Sequence, residues 1–149
     1  LEYYKETGKK LSEHNEEQRQ KESPYNFAYF VLYHDREELY DRINRRVDLM
    51  MEDGLLFEVE SLIKEGYTKN LVSMQGLGYK EFFDYFDGRM TLEDTIDKIK
   101  KDTRHFAKRQ LTWFRREHEV IWVEKEKFSH DNGKILDFMK KELTERGIL

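Results

Sequence analysis

"FAYFVLY", residues 27–33, is seven apolar or aromatic residues in a row. Its length suits a strand. With no polar alternation, it reads as a strand covered on both faces, as in a parallel sheet. "SPYN", residues 23–26, holds the chain's single proline, Pro24, and breaks the run from what precedes it. A second apolar run, "VIWV" at 120–123, has the same character. A pair of strands is marginal alone in water. The expectation is therefore a mostly helical chain carrying two short strands of an incomplete parallel sheet. An unseen N-terminal half or a second copy of the chain would cover them. An α-rich domain that hides two strands among its helices is the alternative.

Outward from the strands, the pattern is helical. "LEYYKET" reads as the last turns of a helix closed by Gly8. "LSEHNEEQRQKE" has a candidate cap in Ser12 but almost no apolar face, so residues 9–26 read as a solvated helix or mobile connector. Asp35 caps a helix, with Glu38 three residues on in the reciprocal position of a capping box. Leu39, Ile43, Val47 and Met50 follow at helical spacing, and Gly54 ends that helix. "LLFEVESLIKE" is a further helix ended by Gly66. A short helix spans about 79–86. Thr91, with Asp94, caps a long one running to about His118. "DNGKILDFMKKELTER" is a last helix.

The chain has 149 residues, the size of one domain or of half a larger enzyme. Charged residues are 39% and hydrophobic residues 38%, which suits a soluble, helix-rich surface. Aromatic residues at 14% argue against disorder. Net charge is −4, so any attraction to nucleic acid must come from a local patch. Cysteine is absent, which excludes disulfides and cysteine–zinc sites and fits the cytoplasm. No run approaches the ~18 apolar residues of a membrane helix, and no signal peptide is visible. The chain opens at Leu1 without methionine, as if inside a running helix, which suggests a fragment.

One patch stands out. From Asp97 to Arg116 there are eight lysines and arginines against two aspartates. On a helix, Leu92, Ile96, Ile99, Phe106, Ala107, Trp113 and Phe114 fall on one side. Lys101, Arg104, Lys108 and Arg115 form a stripe opposite, with Lys98, His105, Arg109 and Arg116 in a row beside it. The strip is ~25 Å long at 1.5 Å per residue, which matches several phosphate spacings. A solvated cationic face is the plain alternative. Thr103 and Gln110 lie in the apolar sector. Gln110 reads first as a satisfied core amide, and second as a group presented to a ligand.

"MQGLGYKEFFDYF", residues 74–86, sets Gly76 and Gly78 one residue apart before a helix. Glycine allows positive φ and close approach of another backbone. The stretch reads first as a tight helix–helix connection. Second, it reads as a loop fitted to a ligand, with Tyr79 to stack and Lys80 to pair with phosphate. It is no phosphate-binding P-loop, because G-x-x-x-x-G-K-[ST] occurs nowhere in the chain. The five histidines show no metal-ligand spacing, and no serine lies in a nucleophile elbow. No catalytic or metal-ligating residue is therefore nominated.

"LYDRINRRVDLMMEDGLLFEVESLI", "MQGLGYKE" and "TRHFAKRQLTWFRR", followed by the strand with Trp122, resemble tRNA dimethylallyltransferases in order and spacing. The resemblance covers about 1–123. It implies an α/β fold, a P-loop kinase-like, nucleotide- and ATP-binding core with a helical insertion. It implies transfer of the dimethylallyl group of dimethylallyl diphosphate to N6 of adenosine 37 of tRNA, assisted by Mg2+. The P-loop and the general-base carboxylate of that family belong to an N-terminal half absent here. This chain alone is therefore expected to be inactive. The resemblance implies Gln75, Gly76, Leu77, Gly78, Tyr79 and Lys80 as contacts to the tRNA anticodon stem-loop, supported by Lys101, Arg104, Lys108, Arg109 and Arg115. Gly76 stands where the family often has alanine, and Leu77 where it often has isoleucine. An adenylate isopentenyltransferase acting on free nucleotide, or a non-catalytic RNA-binding helical module, are the competing readings.

Overall fold

The computed structural model describes residues 2–21 and 23–149. Leu1, where the leading helix was expected to begin, and Glu22, in the expected connector, lie outside the described residues. Strands β1 (Tyr29–Tyr33) and β2 (Val120–Glu124) pair in parallel, from Tyr29↔Val120 to Tyr33↔Glu124. They form a two-stranded sheet with no third strand among the described residues. Val31 and Val123 are buried, as apolar strands require. Leu32, the register partner of Val123, is 59% exposed. Among the described residues no element packs over that part of the sheet, as expected of an incomplete parallel sheet.

Helix α1 (Glu2–Thr7) ends at Gly8, whose φ of +70° lets the chain reverse. Helix α2 (Leu11–Arg19) occupies the segment read as a solvated helix or connector. Its N-cap is Lys10, with the Glu13 carboxylate accepting from the Lys10 N–H at 3.4 Å. The expected cap, Ser12, sits inside the first turn instead. Helix α3 (Arg36–Glu52) starts at Asp35, whose carboxylate accepts from the N–H groups of Glu37 and Glu38 at 2.9 and 3.0 Å. The reciprocal bond of the capping box comes from elsewhere. Glu126, distant in sequence, accepts the Asp35 N–H at 3.1 Å, and Glu38 turns towards histidines. Here a tertiary contact outcompetes a local one.

Helix α4 (Leu55–Lys64) follows Gly54 and is closed by Gly66. A 3₁₀ turn (Val72–Gln75) and the short helix α5 (Phe82–Phe86) frame the double-glycine stretch. Helix α6 (Leu92–Phe114) begins at Thr91, whose hydroxyl accepts the Asp94 N–H at 3.1 Å. It ends four residues before His118, and Glu119, at φ +64°, turns the chain into β2. A second 3₁₀ turn (Lys125–Phe128) leads to helix α7 (Asn132–Glu145), capped by Asp131. No helix among the described residues is long and apolar enough to cross a membrane.

The main core joins α3, α4, α5 and the first half of α6 through Val47, Leu55, Val59, Met74, Phe82 and Ile99. Thr95 is fully buried there and satisfies its hydroxyl on the Thr91 carbonyl at 2.8 Å. Phe82 is the largest fully buried side chain of this core. Phe82→Ala should cost about 3–5 kcal/mol, read from the midpoint of urea unfolding. A cost near that of an exposed substitution would show that the core lies elsewhere.

Candidate nucleic-acid interface

The double-glycine loop is anchored at both ends, since Met74 and Phe82 are both core residues. Between them the two glycines differ. Gly78 has φ +97°, a conformation that L side chains rarely adopt. Its N–H donates to the buried carboxylate of Glu81 at 2.8 Å. Gly76 has φ −59° and ψ 146°, open to any residue, and an added Cβ would meet only the Ser73 carbonyl at 3.6 Å. So one glycine is required by the backbone, and the other is not.

The side chains of the loop divide in the same way. Gln75, Leu77 and Lys80 are exposed, with the Gln75 amide donating to the Lys69 carbonyl. Tyr79 is half-buried against the core, and its phenol donates to Glu58, which raises its pKa. Its ring is thus committed in part to packing. Lys80 Nζ lies 3.8 Å from the Glu81 oxygen that has no hydrogen-bond donor. That ammonium is therefore the partner of a buried carboxylate as well as an exposed cation. Its charge also reaches Asp102 on α6, which places the loop beside the first half of that helix.

The cations of α6 sort by what α3 offers them. Lys100 pairs with Asp48 at 2.6 Å. Arg104 donates to the Asn44 side chain at 2.5 Å and lies over the Tyr40 ring at 6.0 Å. Arg104 is therefore half-buried in the helix–helix contact, and not a member of a free stripe as expected. Lys98 pairs with Asp102 at 2.8 Å, and that hydrogen bond raises the lysine pKa and lowers that of the aspartate. Lys101, Lys108, Arg109, Arg115 and Arg116 are exposed, with no ion pair among the described residues. The expected cationic face survives, narrowed to these residues.

The apolar side of α6 also changes along its length. Leu92, Ile96 and Ile99 pack into the core. Phe106 and Trp113, expected on the buried side, are 46% and 51% exposed. The second half of α6 lies beside β1 and the start of α3, and nothing among the described residues covers these two rings. Gln110 is exposed and so is no core amide. Thr103 spends its hydroxyl on the Ile99 carbonyl at 2.7 Å. The outcome is exposed aromatics interleaved with unpaired cations, and Arg109 stacks over Phe106 at 5.9 Å. A cavity of about 270 Å³ between β1, α3 and α6 is lined by Tyr33, Arg36, Tyr40, Lys108, Leu111 and Arg115. Beside it runs a groove lined by His105, Arg109, Trp113 and Arg116. Such a surface can pair with phosphates and stack on bases.

Two features escaped the reading of the sequence. Arg42, Arg45 and Arg46 are exposed around a groove on α3, and the signal was the run "DRINRR". His34 and His130, far apart in the chain, stack with ring centroids 5.7 Å apart. Their signal was a pair of i,i+4 patterns, His34–Glu38 and Glu126–His130, which the spacing of the histidines alone does not show. The Glu126 carboxylate is held at about 2 by the backbone N–H groups of its own residue and Asp35, and then by His34.

A family model described as IPP transferase matches residues 1–117. The chain is 56% identical over 149 residues to the tRNA dimethylallyltransferase of Lachnoclostridium phytofermentans, covering 100% of this chain and 47% of the relative. It is 47% identical over 148 residues to the enzyme of the same name from Acetivibrio thermocellus, covering 99% of this chain and 47% of the relative. It therefore spans about half the length of the curated relatives it matches. Among solved structures, it is similar to a full-length tRNA isopentenylpyrophosphate transferase from Bacillus halodurans, with TM-score 0.72 and 40% identity over 91% of this chain and 45% of that one. A tRNA delta(2)-isopentenylpyrophosphate transferase from Staphylococcus epidermidis gives TM-score 0.77 and 37% identity, over 97% of this chain and 46% of that one.

The contrast between the glycines is testable. Gly76→Ala should be tolerated or stabilise by about 0.4–1 kcal/mol, whereas Gly78→Ala should destabilise by more than that. Urea unfolding of both variants decides it, and equal effects would contradict the assigned backbone.

Proposed function

The chain belongs to the IPP transferase family, and from that membership we propose that it forms the tRNA-holding, C-terminal part of a tRNA dimethylallyltransferase. In the proposed reaction the N6 amine of adenosine 37 attacks the allylic carbon of dimethylallyl diphosphate. The carbon–oxygen bond to diphosphate breaks, diphosphate leaves, and the N6 proton passes to a general base. By this proposal the base, the diphosphate cradle and the Mg2+ site belong to a preceding half of the protein. Here the three-carboxylate group Asp35, Glu38 and Glu126 is a poor Mg2+ cage. Two of its members, Glu38 and Glu126, face the His34 imidazole, a nitrogen-bearing surrounding that suits ions other than Mg2+. The chain alone is accordingly proposed to be inactive, and to work in the cytoplasm, where tRNA is.

The observation that carries the proposal is the unpaired cationic and aromatic face on the second half of α6. In a chain of net charge −4, it concentrates positive charge without local acids to neutralise it. That suits a polymer of phosphates better than a single free nucleotide. The loop Gln75–Lys80, fixed between two core residues, is proposed to lie against the anticodon stem-loop near the modified base. The adenine must leave its stack to react, and a loop ordered in advance lowers the cost of holding it.

By this proposal the exposed cations bind tRNA, and Arg104, half-buried against α3, does not. In a protein carrying this chain together with its upstream half, Lys108→Ala and Arg115→Ala should each weaken binding of an anticodon stem-loop. The slope of log affinity against log salt should fall by about 1 per cation. Arg104→Ala should lower the melting temperature and leave the slope nearly unchanged. Unchanged slopes for Lys108 and Arg115 would favour a merely solvated face. Prenyl transfer by the 149-residue chain alone would overturn the division of labour.

A further inference from the structure

We propose that His34, Glu38 and His130, with Glu126 beside them on His34, form a binding site for a single divalent transition ion of the Zn2+ class. The site clamps the start of α3 to the turn after β2. It does not depend on the tRNA proposal.

The geometry is that of a small coordination sphere. A four-coordinate ion with ligands at about 2.0–2.1 Å sets neighbouring ligand atoms roughly 3.3–3.4 Å apart. Here His34 Nδ1 lies 3.1 Å from a Glu126 oxygen and 3.3 Å from a Glu38 oxygen. His130 Nε2 lies 3.6 Å from the other Glu38 oxygen. The potential ligand atoms of His34, Glu38 and His130 all fall within 4.8 Å of one another. Two imidazoles with carboxylates select Zn2+ and its neighbours over the oxygen-loving Mg2+ or Ca2+.

The chemistry of the cluster asks for a cation. His34 Nδ1 hydrogen-bonds one carboxylate oxygen, that of Glu126 at 3.1 Å, while the Glu38 oxygen at 3.3 Å stands beside it without that bond and has only the exposed Arg42, at 4.0 Å, as a further cation. One proton serves two acceptors poorly, and an ion shared by all of them serves each. His34 is the most enclosed of the four, its side chain only 12% exposed, so its tautomer and ring position are set by these neighbours. The backbone also departs from the ordinary to bring His130 there. Ser129 and His130 are consecutive left-handed residues, at φ 52° and 57°, and neither is glycine. That double turn lays the His130 ring almost parallel to His34, at an interplanar angle of 17°. The two halves of the site come from i,i+4 pairs far apart in the chain, His34 with Glu38 and Glu126 with His130, so that an ion would staple non-local segments.

The test uses the purified chain, stripped with a chelator and titrated with Zn2+ and, as a spectroscopic probe, Co2+. The proposal expects one equivalent to bind, the strong visible bands of four-coordinate Co2+ to appear, and the melting temperature to rise with Zn2+. His34→Ala and His130→Asn should each abolish the Co2+ bands and weaken Zn2+ binding by 10-fold or more. His130→Asn keeps a side chain that tolerates the left-handed backbone, so it decides the matter if His34→Ala does not fold. Glu126→Gln should weaken binding, and His118→Ala should leave it unchanged. Absence of stoichiometric binding, or binding that survives His130→Asn intact, would overturn the proposal.

Discussion

The contact between α3 and α6 sets the rest of the structure. Its apolar part, Val47 against Ile99, gathers α4, α5 and the double-glycine loop into one core. Its polar part, Lys100 with Asp48 and Arg104 with Asn44 and Tyr40, continues that contact up α6 and uses two of its cations on the way. What α3 does not neutralise is left for solvent or a partner. The cationic face is thus defined by subtraction, and its composition follows from where α3 stops offering acceptors.

The same economy governs the loop. Buried Met74 and Phe82 pin its two ends, and Glu81, itself buried, accepts the Gly78 N–H and so fixes the turn between them. Tyr79 and Lys80 then serve folding and surface together, the phenol through Glu58 and the ammonium beside Glu81. A loop built this way holds its exposed groups, Gln75, Leu77 and Lys80, in one arrangement before any ligand arrives. Preorganisation of that kind lowers the entropy lost on binding, and it also means that changes in the loop act on stability and recognition at once.

Much of this was legible in the residues, for physical reasons that can be named. Helical periodicity placed α3, α4 and α6, because Val47, Val59 and Ile99 recur on faces that must be buried. Two apolar runs gave two strands, and the structure pairs them in parallel. Local chemistry misled wherever a distant group replaced a near one. Glu126 displaced Glu38 from the cap of α3, and Asn44 with Tyr40 drew Arg104 out of the cationic stripe. Periodicity also put Phe106 and Trp113 on a buried side, although nothing among the described residues covers them. A helical wheel records direction around an axis and carries no information about where the neighbouring element ends. The histidine pair was invisible for a related reason, since the residues stacked there are 34 and 130.

Amide hydrogen exchange addresses the central claim most directly, measured on a protein carrying this chain and its upstream half, with and without an anticodon stem-loop. Slower exchange on binding should concentrate in residues 75–80 and 105–116, with α4 and the first half of α6 unchanged. Protection that spares the second half of α6 and falls instead on the α4 surface would contradict the assignment of that cationic, aromatic face to RNA.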